Sequence, residues 1–182
     1  MKKLRINNEG KIKLFLSLSL FAYSLYVTFA TKNMGVWYAM LLSTFGDVAI
    51  MASRGALTGR KERTFNIGVI FFSFAHLAYV GAMFNNEITV IIAVISFIAV
   101  ALTTWFQPRG KTWNFIPYTV ALLNAAVNAW LFSWVAGVGM LLFLASDAIL
   151  SICEERSPKW QVAIWATYVP AQVMILTAIL IK

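Results

Sequence analysis

The sequence predicts an all-α fold, a polytopic transmembrane helical bundle of about seven spans with its N-terminus in the cytoplasm. Three observations predict it. Of 182 residues, 60% are hydrophobic and 12% charged, and the mean hydropathy is +0.76; a soluble domain has roughly 45–50% apolar and 25% charged residues. Apolar runs close to the roughly 20 residues that a helix needs to cross hydrocarbon recur from one end of the chain to the other. The basic residues collect in alternate breaks between those runs, as the positive-inside rule expects of a polytopic protein.

The first run is 12–31. Lys2, Lys3, Arg5 and Lys11 before it, and Lys13 at its edge, stand in the manner of a signal peptide. It exceeds a signal's apolar segment, however, and Thr28-Phe29-Ala30 is a weak cleavage site, so it reads as a retained helix. Thr31-Lys32-Asn33 ends it and 34–53 follows. A basic loop from Arg54 to Thr64 leads to 65–84, and Asn85-Asn86-Glu87 leads to 88–106, a run without ionisable groups that reads as scaffold. Gln107 to Trp113 precedes 114–131, the short break Phe132-Ser133 precedes 134–153, and Glu154 to Lys159 precedes the last run, 160–181. Trp37, Trp105, Trp113, Trp134 and Trp160 fall near run ends, where an aromatic belt sits. The runs lack the alternation of a membrane β-barrel, and an open sheet would leave backbone groups unpaired in lipid. Residues 1–182 are expected to form one transmembrane domain.

With seven spans, thirteen of the fifteen Lys and Arg residues fall on one side, leaving Lys32 and Lys182 on the other. That skew assigns the basic side to the cytoplasm. It also accounts for the net charge of +8 and the pI near 9.8 without invoking nucleic acid, since no basic patch stands on a soluble fold. One cysteine, Cys153, excludes an internal disulfide and a multi-cysteine cage, and one histidine excludes a multi-histidine site, so no metal and no cofactor is expected. The expected setting is an integral membrane protein of a bacterial plasma membrane, with its oligomeric state open.

The residues that carry chemistry are those an apolar span should not hold. Asp47 and Asp147 lie inside spans, where insertion scales charge roughly 2.5–3.5 kcal/mol for a central Asp. Each stands about six residues, roughly 9 Å, from the cytoplasmic end of its span. Two carboxyls at one depth can face each other, and such a pair in low dielectric shares a proton, giving one acid and one base. The alternative is that each Asp hydrogen-bonds a neighbouring helix and only holds the bundle together. His76, deeper in the third span, shares a face with Tyr79; it can orient or protonate a substrate, or serve as a bonded core histidine. Tyr118 lies at a depth like that of the aspartates, and Tyr168 and Gln172, at i,i+4 on the last span, can hydrogen-bond a headgroup or a carboxyl. Asn124 and Asn128, also at i,i+4, read as helix packing. Arg54, Arg60, Lys61 and Arg63, in the loop after Asp47, either set topology alone or hold a lipid phosphate above the carboxyls.

Four segments resemble the YhhN-like family, the group that includes animal lysoplasmalogenases. They are Leu42-Ser43-Thr44-Phe45-Gly46-Asp47-Val48; Phe74-Ala75-His76-Leu77-Ala78-Tyr79 within Gly68 to Tyr79; Phe143-Leu144-Ala145-Ser146-Asp147 within Gly139 to Asp147; and Thr167-Tyr168-Val169-Pro170-Ala171-Gln172, similar to the family's Tyr-x-x-x-Gln ending. The family pattern has one more N-terminal span and a Lys-Pro near the start of an early one; Lys11-Ile12 stands at that place here. The resemblance implies hydrolysis of the vinyl-ether bond of a lysoplasmalogen, releasing a fatty aldehyde, with a lysophospholipid or related ether lipid as substrate. Such hydrolysis needs a general acid to protonate the β-carbon and a base to help water add to the resulting oxocarbenium ion, the two-carboxyl logic of glycosidases. Asp47 and Asp147 would be that pair, and His76, Tyr79, Tyr118, Tyr168 and Gln172 would orient substrate and water.

Three rival readings stand beside this one. An intramembrane aspartyl protease also uses two membrane aspartates, but Thr44-Phe45-Gly46-Asp47 lacks the Gly-x-Gly-Asp pattern of that class. An ion- or proton-coupled transporter or channel would carry a polar path through the full membrane thickness, whereas polar residues here concentrate in the inner half and centre. A non-catalytic lipid-binding protein would keep the bundle without the activity.

Overall fold

The computed structural model describes the backbone of residues 8–54, 58–83, 115–152 and 158–182, and the side chains of 11–53, 64–83, 118–150 and 160–182. Among the described residues are six helices and no strand: α1 (Asn8–Thr31), α2 (Met34–Arg54), α3 (Thr58–Met83), α4 (Phe115–Phe132), α5 (Trp134–Ile152) and α6 (Pro158–Leu180). Four stretches are long and apolar enough to cross a membrane: Lys11–Thr31, Met34–Ser53, Thr64–Met83 and Trp160–Leu180. The described parts of α4 and α5, Tyr118–Phe132 and Trp134–Leu150, are apolar but shorter. The run expected at 88–106 lies outside the described residues.

The helices overrun their apolar cores. The stretch expected as a loop from Arg54 to Thr64 is mostly helical: Arg54 ends α2, and Arg60, Lys61 and Arg63 stand in the first turns of α3. Hydropathy marks where a chain leaves hydrocarbon, not where the helix stops, and Arg, Lys and Glu are good helix formers. Pro158 opens α6, where its missing N–H costs nothing.

The breaks that are described are capped. Lys32 takes a left-handed backbone (φ 56°) just past α1, the conformation that terminates a helix. Asn33 then caps α2: its Oδ1 accepts from the Gly35 N–H (3.0 Å), while its Nδ2 donates to the Ala82 carbonyl of α3 (2.6 Å). Between α4 and α5, Ser133 Oγ accepts from the Ala136 N–H (3.1 Å) in the same way.

Each helix packs against the next, and α1 packs against α6, so the six close into a ring; α2–α3 and α5–α6 are its most extensive seams. The exterior is apolar as well as the core, unlike that of a protein in water. Phe15, Phe29, Leu131, Trp134 and Val162 point outward and are mostly exposed. Ser17, Ser43, Asp47, Ser73, His76, Ser146 and Gln172 are buried inside with Met40, Tyr79, Met140 and Phe143. Lipid solvates the first set, and only the interior can satisfy the second.

Candidate active site

Buried residues follow a four-then-three spacing along the helices, the stripe that a helix in a bundle turns to its neighbours. On α2 this stripe is Val36, Met40, Ser43 and Asp47. On α6 it is Gln161, Ile164, Tyr168, Gln172 and Ile175. Asp147 follows Phe143 by four residues on α5 and so shares its inward side. Each Asp lies between about one and two turns from the C-terminal end of its helix.

Both aspartates line one cavity of about 620 Å³, a volume typical of small-molecule sites. Described residues of five helices, α2 to α6, line it. It runs from Met51, Phe65 and Leu150 near the helix ends to Phe72, Leu122 and Tyr168 about two turns deeper. Tyr118 and Tyr168 line it as well, and most of the remaining wall is aliphatic or aromatic.

Each carboxyl has its own hydroxyl partners. The Tyr118 hydroxyl donates to Asp147 Oδ2. Asp47 Oδ2 accepts from Ser17 Oγ (2.5 Å) and from the Tyr168 hydroxyl (3.1 Å). Behind Tyr168 the bonds continue: Gln172 Nε2 donates to the Tyr168 oxygen (3.3 Å), and the Tyr79 hydroxyl donates to Gln172 Oε1. Every donor in this row points toward Asp47, so the bonds polarise one another in one direction. Tyr168 is also held by ring contacts with Phe143, Trp165 and Phe72 at 5.3, 5.3 and 6.3 Å between centroids, pairs worth about 0.5–1.5 kcal/mol each.

The sequence pattern that defines the YhhN family matches residues 11–179, a stretch that takes in every residue of this row and both aspartates. This chain belongs to the YhhN family. No curated protein and no solved structure matches it.

In this YhhN-family chain, the residues proposed from the sequence fall into two layers. Asp47, Asp147, Tyr118 and Tyr168 face the cavity. His76, Tyr79 and Gln172 do not line it and lie behind it, almost fully buried. His76 Nδ1 donates to the Phe72 carbonyl (2.6 Å), and its ring meets Phe143 and Tyr118 edge-on at 4.8 and 5.6 Å. Its Nε2 is buried with no hydrogen-bond partner among the described residues. Arg54, Arg60, Lys61 and Arg63 stand at the same end of the bundle as Met51 and Phe65 of the cavity, but their side chains lie outside the described residues. Asn128 Nδ2 bonds the Asn124 carbonyl (2.8 Å) and Oδ1 (2.9 Å) within α4.

Sequence reasoning placed the first helix but missed what α1 contributes to the site. Lys13, grouped with the basic residues that flank the first span, is 6% exposed, and its Nζ donates to Gln161 Oε1 of α6 (2.7 Å). Ser17, one turn on, bonds Asp47. The signal was present: Lys13, Ser17, Leu20, Ser24 and Val27 are all buried at four-then-three spacing, and a polar stripe on a membrane helix turns to protein rather than lipid.

The buried row makes a direct prediction. Gln172→Leu keeps the bulk but removes both the acceptor for Tyr79 and the donor to Tyr168. A loss of about 1–3 kcal/mol is expected for the buried groups left unmatched, read as a lowered midpoint in unfolding of the purified protein in detergent. An unchanged midpoint would show that the row contributes no stability.

Proposed function

We propose that this YhhN-family protein is a membrane-embedded hydrolase that cleaves the vinyl-ether bond of a lysoplasmalogen or a related lysolipid, acting in the plasma membrane with its cavity toward the cytoplasmic leaflet. The observation that carries this reading is the pair of carboxyls, from α2 and α5, lining one largely apolar cavity. The apolar wall suits a single lipid chain, and the two acids suit the reaction.

In the proposed reaction the acid protonates the β-carbon of the vinyl ether, and the double-bond electrons form the new C–H bond. This leaves an oxocarbenium ion at the α-carbon. Water adds there while the base takes its proton, giving a hemiacetal. The hemiacetal collapses to a fatty aldehyde and the alcohol of the glycerophospho group, and the proton gained by the base balances the one given by the acid. The hydrogen bonds favour an assignment. Asp47 is the end point of two hydroxyl donors and suits the base; Asp147, with Tyr118 as its hydroxyl partner, suits the acid. Phe72, Trp165 and Tyr168 line the cavity, and an aromatic ring that turns its face to the cation would stabilise it through its quadrupole.

The test uses the purified protein in detergent with a lysoplasmalogen and, in parallel, the matched lysolipid that carries an ester in place of the vinyl ether. Long-chain aldehyde is expected from the first and none from the second. A folded protein that releases no aldehyde from the vinyl-ether lipid would remove this substrate class from the proposal.

A further inference from the structure

Ser17 stands outside the cavity yet touches its chemistry. It is fully buried, and its hydroxyl donates to the same Asp47 oxygen that accepts from Tyr168. An Asp carboxyl otherwise rotates broadly about its last torsion, so two donors from two helices fix which oxygen is held and how the group is turned. One turn earlier on the same face, the buried Lys13 ammonium bonds Gln161. Gln161 lies two turns before Tyr168 on the inward stripe of α6. The seam between α1 and α6 is therefore tied at Lys13–Gln161 and again where Ser17 and Tyr168 converge on Asp47. A buried ammonium is costly to hold in a membrane helix, and a contact that fixes the register of α1 gives it a use.

Resting on the hydrolase reading above, we infer that Ser17 is a positioning residue that orients the Asp47 carboxyl, with Lys13 and Gln161 setting the register that brings Ser17 to it. Neither Ser17 nor Lys13 lines the cavity, so both act through Asp47.

The experiment compares Ser17→Ala, Ser17→Thr and Lys13→Met in the full chain. Ser17→Ala is expected to lower kcat about 10- to 100-fold, the loss found when outer hydrogen-bond partners of functional metal ligands are removed, with KM unchanged. Ser17→Thr, which keeps the hydroxyl, restores kcat. Lys13→Met lowers kcat as well and adds little further loss on top of Ser17→Ala, as expected of residues acting through one group. A second readout needs no turnover: the infrared carboxyl band of Asp47, assigned by its loss in Asp47→Asn, shifts in Ser17→Ala and returns in Ser17→Thr. In an active wild type, a wild-type kcat in Ser17→Ala overturns the inference whatever the band does. If the wild type turns over no lysolipid, the hydrolase reading fails and the band decides alone: a shift upholds the orientation of Asp47 by Ser17, and no shift overturns it.

Discussion

Asp47→Asn and Asp147→Asn are each expected to lower the rate of aldehyde release by about 10²- to 10⁴-fold, the contribution of a positioned general acid or base. Asn is nearly isosteric with Asp. In place of Asp47 its side-chain oxygen can still accept from Ser17 and Tyr168, and in place of Asp147 it can still accept from Tyr118. What it cannot do is exchange a proton. The substitution therefore separates the two meanings of a buried aspartate in a membrane helix. If the carboxyl only ties helices together, the amide replaces it and both rate and unfolding midpoint survive. If it is the acid or the base, the rate collapses while the midpoint holds. The double variant sharpens this, because residues that act as a unit lose little more together than singly. Initial rates and thermal unfolding of the three variants in one detergent decide the matter, and an active Asp47→Asn or Asp147→Asn would return that residue to a packing role.

What the sequence disclosed follows the physics of each signal. Asp47 and Asp147 stood out because a charge inside an apolar run is costly wherever it lies, and equal distance from two helix ends is readable by counting. The cavity lined by both has the arrangement that this counting allows. Lys13 did not stand out because it sits at the edge of its run, where a lysine is ordinarily solvated and counts toward topology; only its register with Ser17 and Ser24 betrayed an inward face. Tyr79 and Gln172 were legible as polar residues on inward faces, but periodicity gives a direction and not a depth, so it did not tell the cavity wall from the layer behind it. The loop that hydropathy implies after Asp47 is longer than the break between α2 and α3, for a related reason. Hydropathy falls at the membrane edge, while the helix persists as long as its residues favour it, which is why Arg60, Lys61 and Arg63 are helical.

The second large effect is expected at the α2–α3 seam, through glycines that the polar residues overshadow. A side chain begun at Gly68 would meet Ile50 Cγ1 at 2.7 Å and the Gly46 carbonyl oxygen at 3.1 Å. One begun at Gly46 would meet two atoms of the Phe72 ring at 2.7 Å. Close approach of small residues is how helices gain packing in a membrane, where burial from water offers no drive between them. The Phe72 ring has some freedom to yield, but the backbone oxygen opposite Gly68 has none. Gly68→Leu is therefore expected to spread α2 from α3 and to destabilise by about 1–3 kcal/mol, the usual cost of overpacking, with Gly68→Ala the milder step in the same direction. Because Asp47 directly follows Gly46, the spread also moves one carboxyl relative to the other, and a misplacement near 1 Å can cost about 10²-fold in rate. The ordering of effects is the discriminating result. Gly68→Leu should lose midpoint and rate together, whereas Asp47→Asn loses rate alone. A Gly68→Leu protein that unfolds like the wild type and keeps its rate would mean that the α2–α3 seam tolerates a wider spacing than Gly46 and Gly68 impose, and that the carboxyl pair does not depend on it.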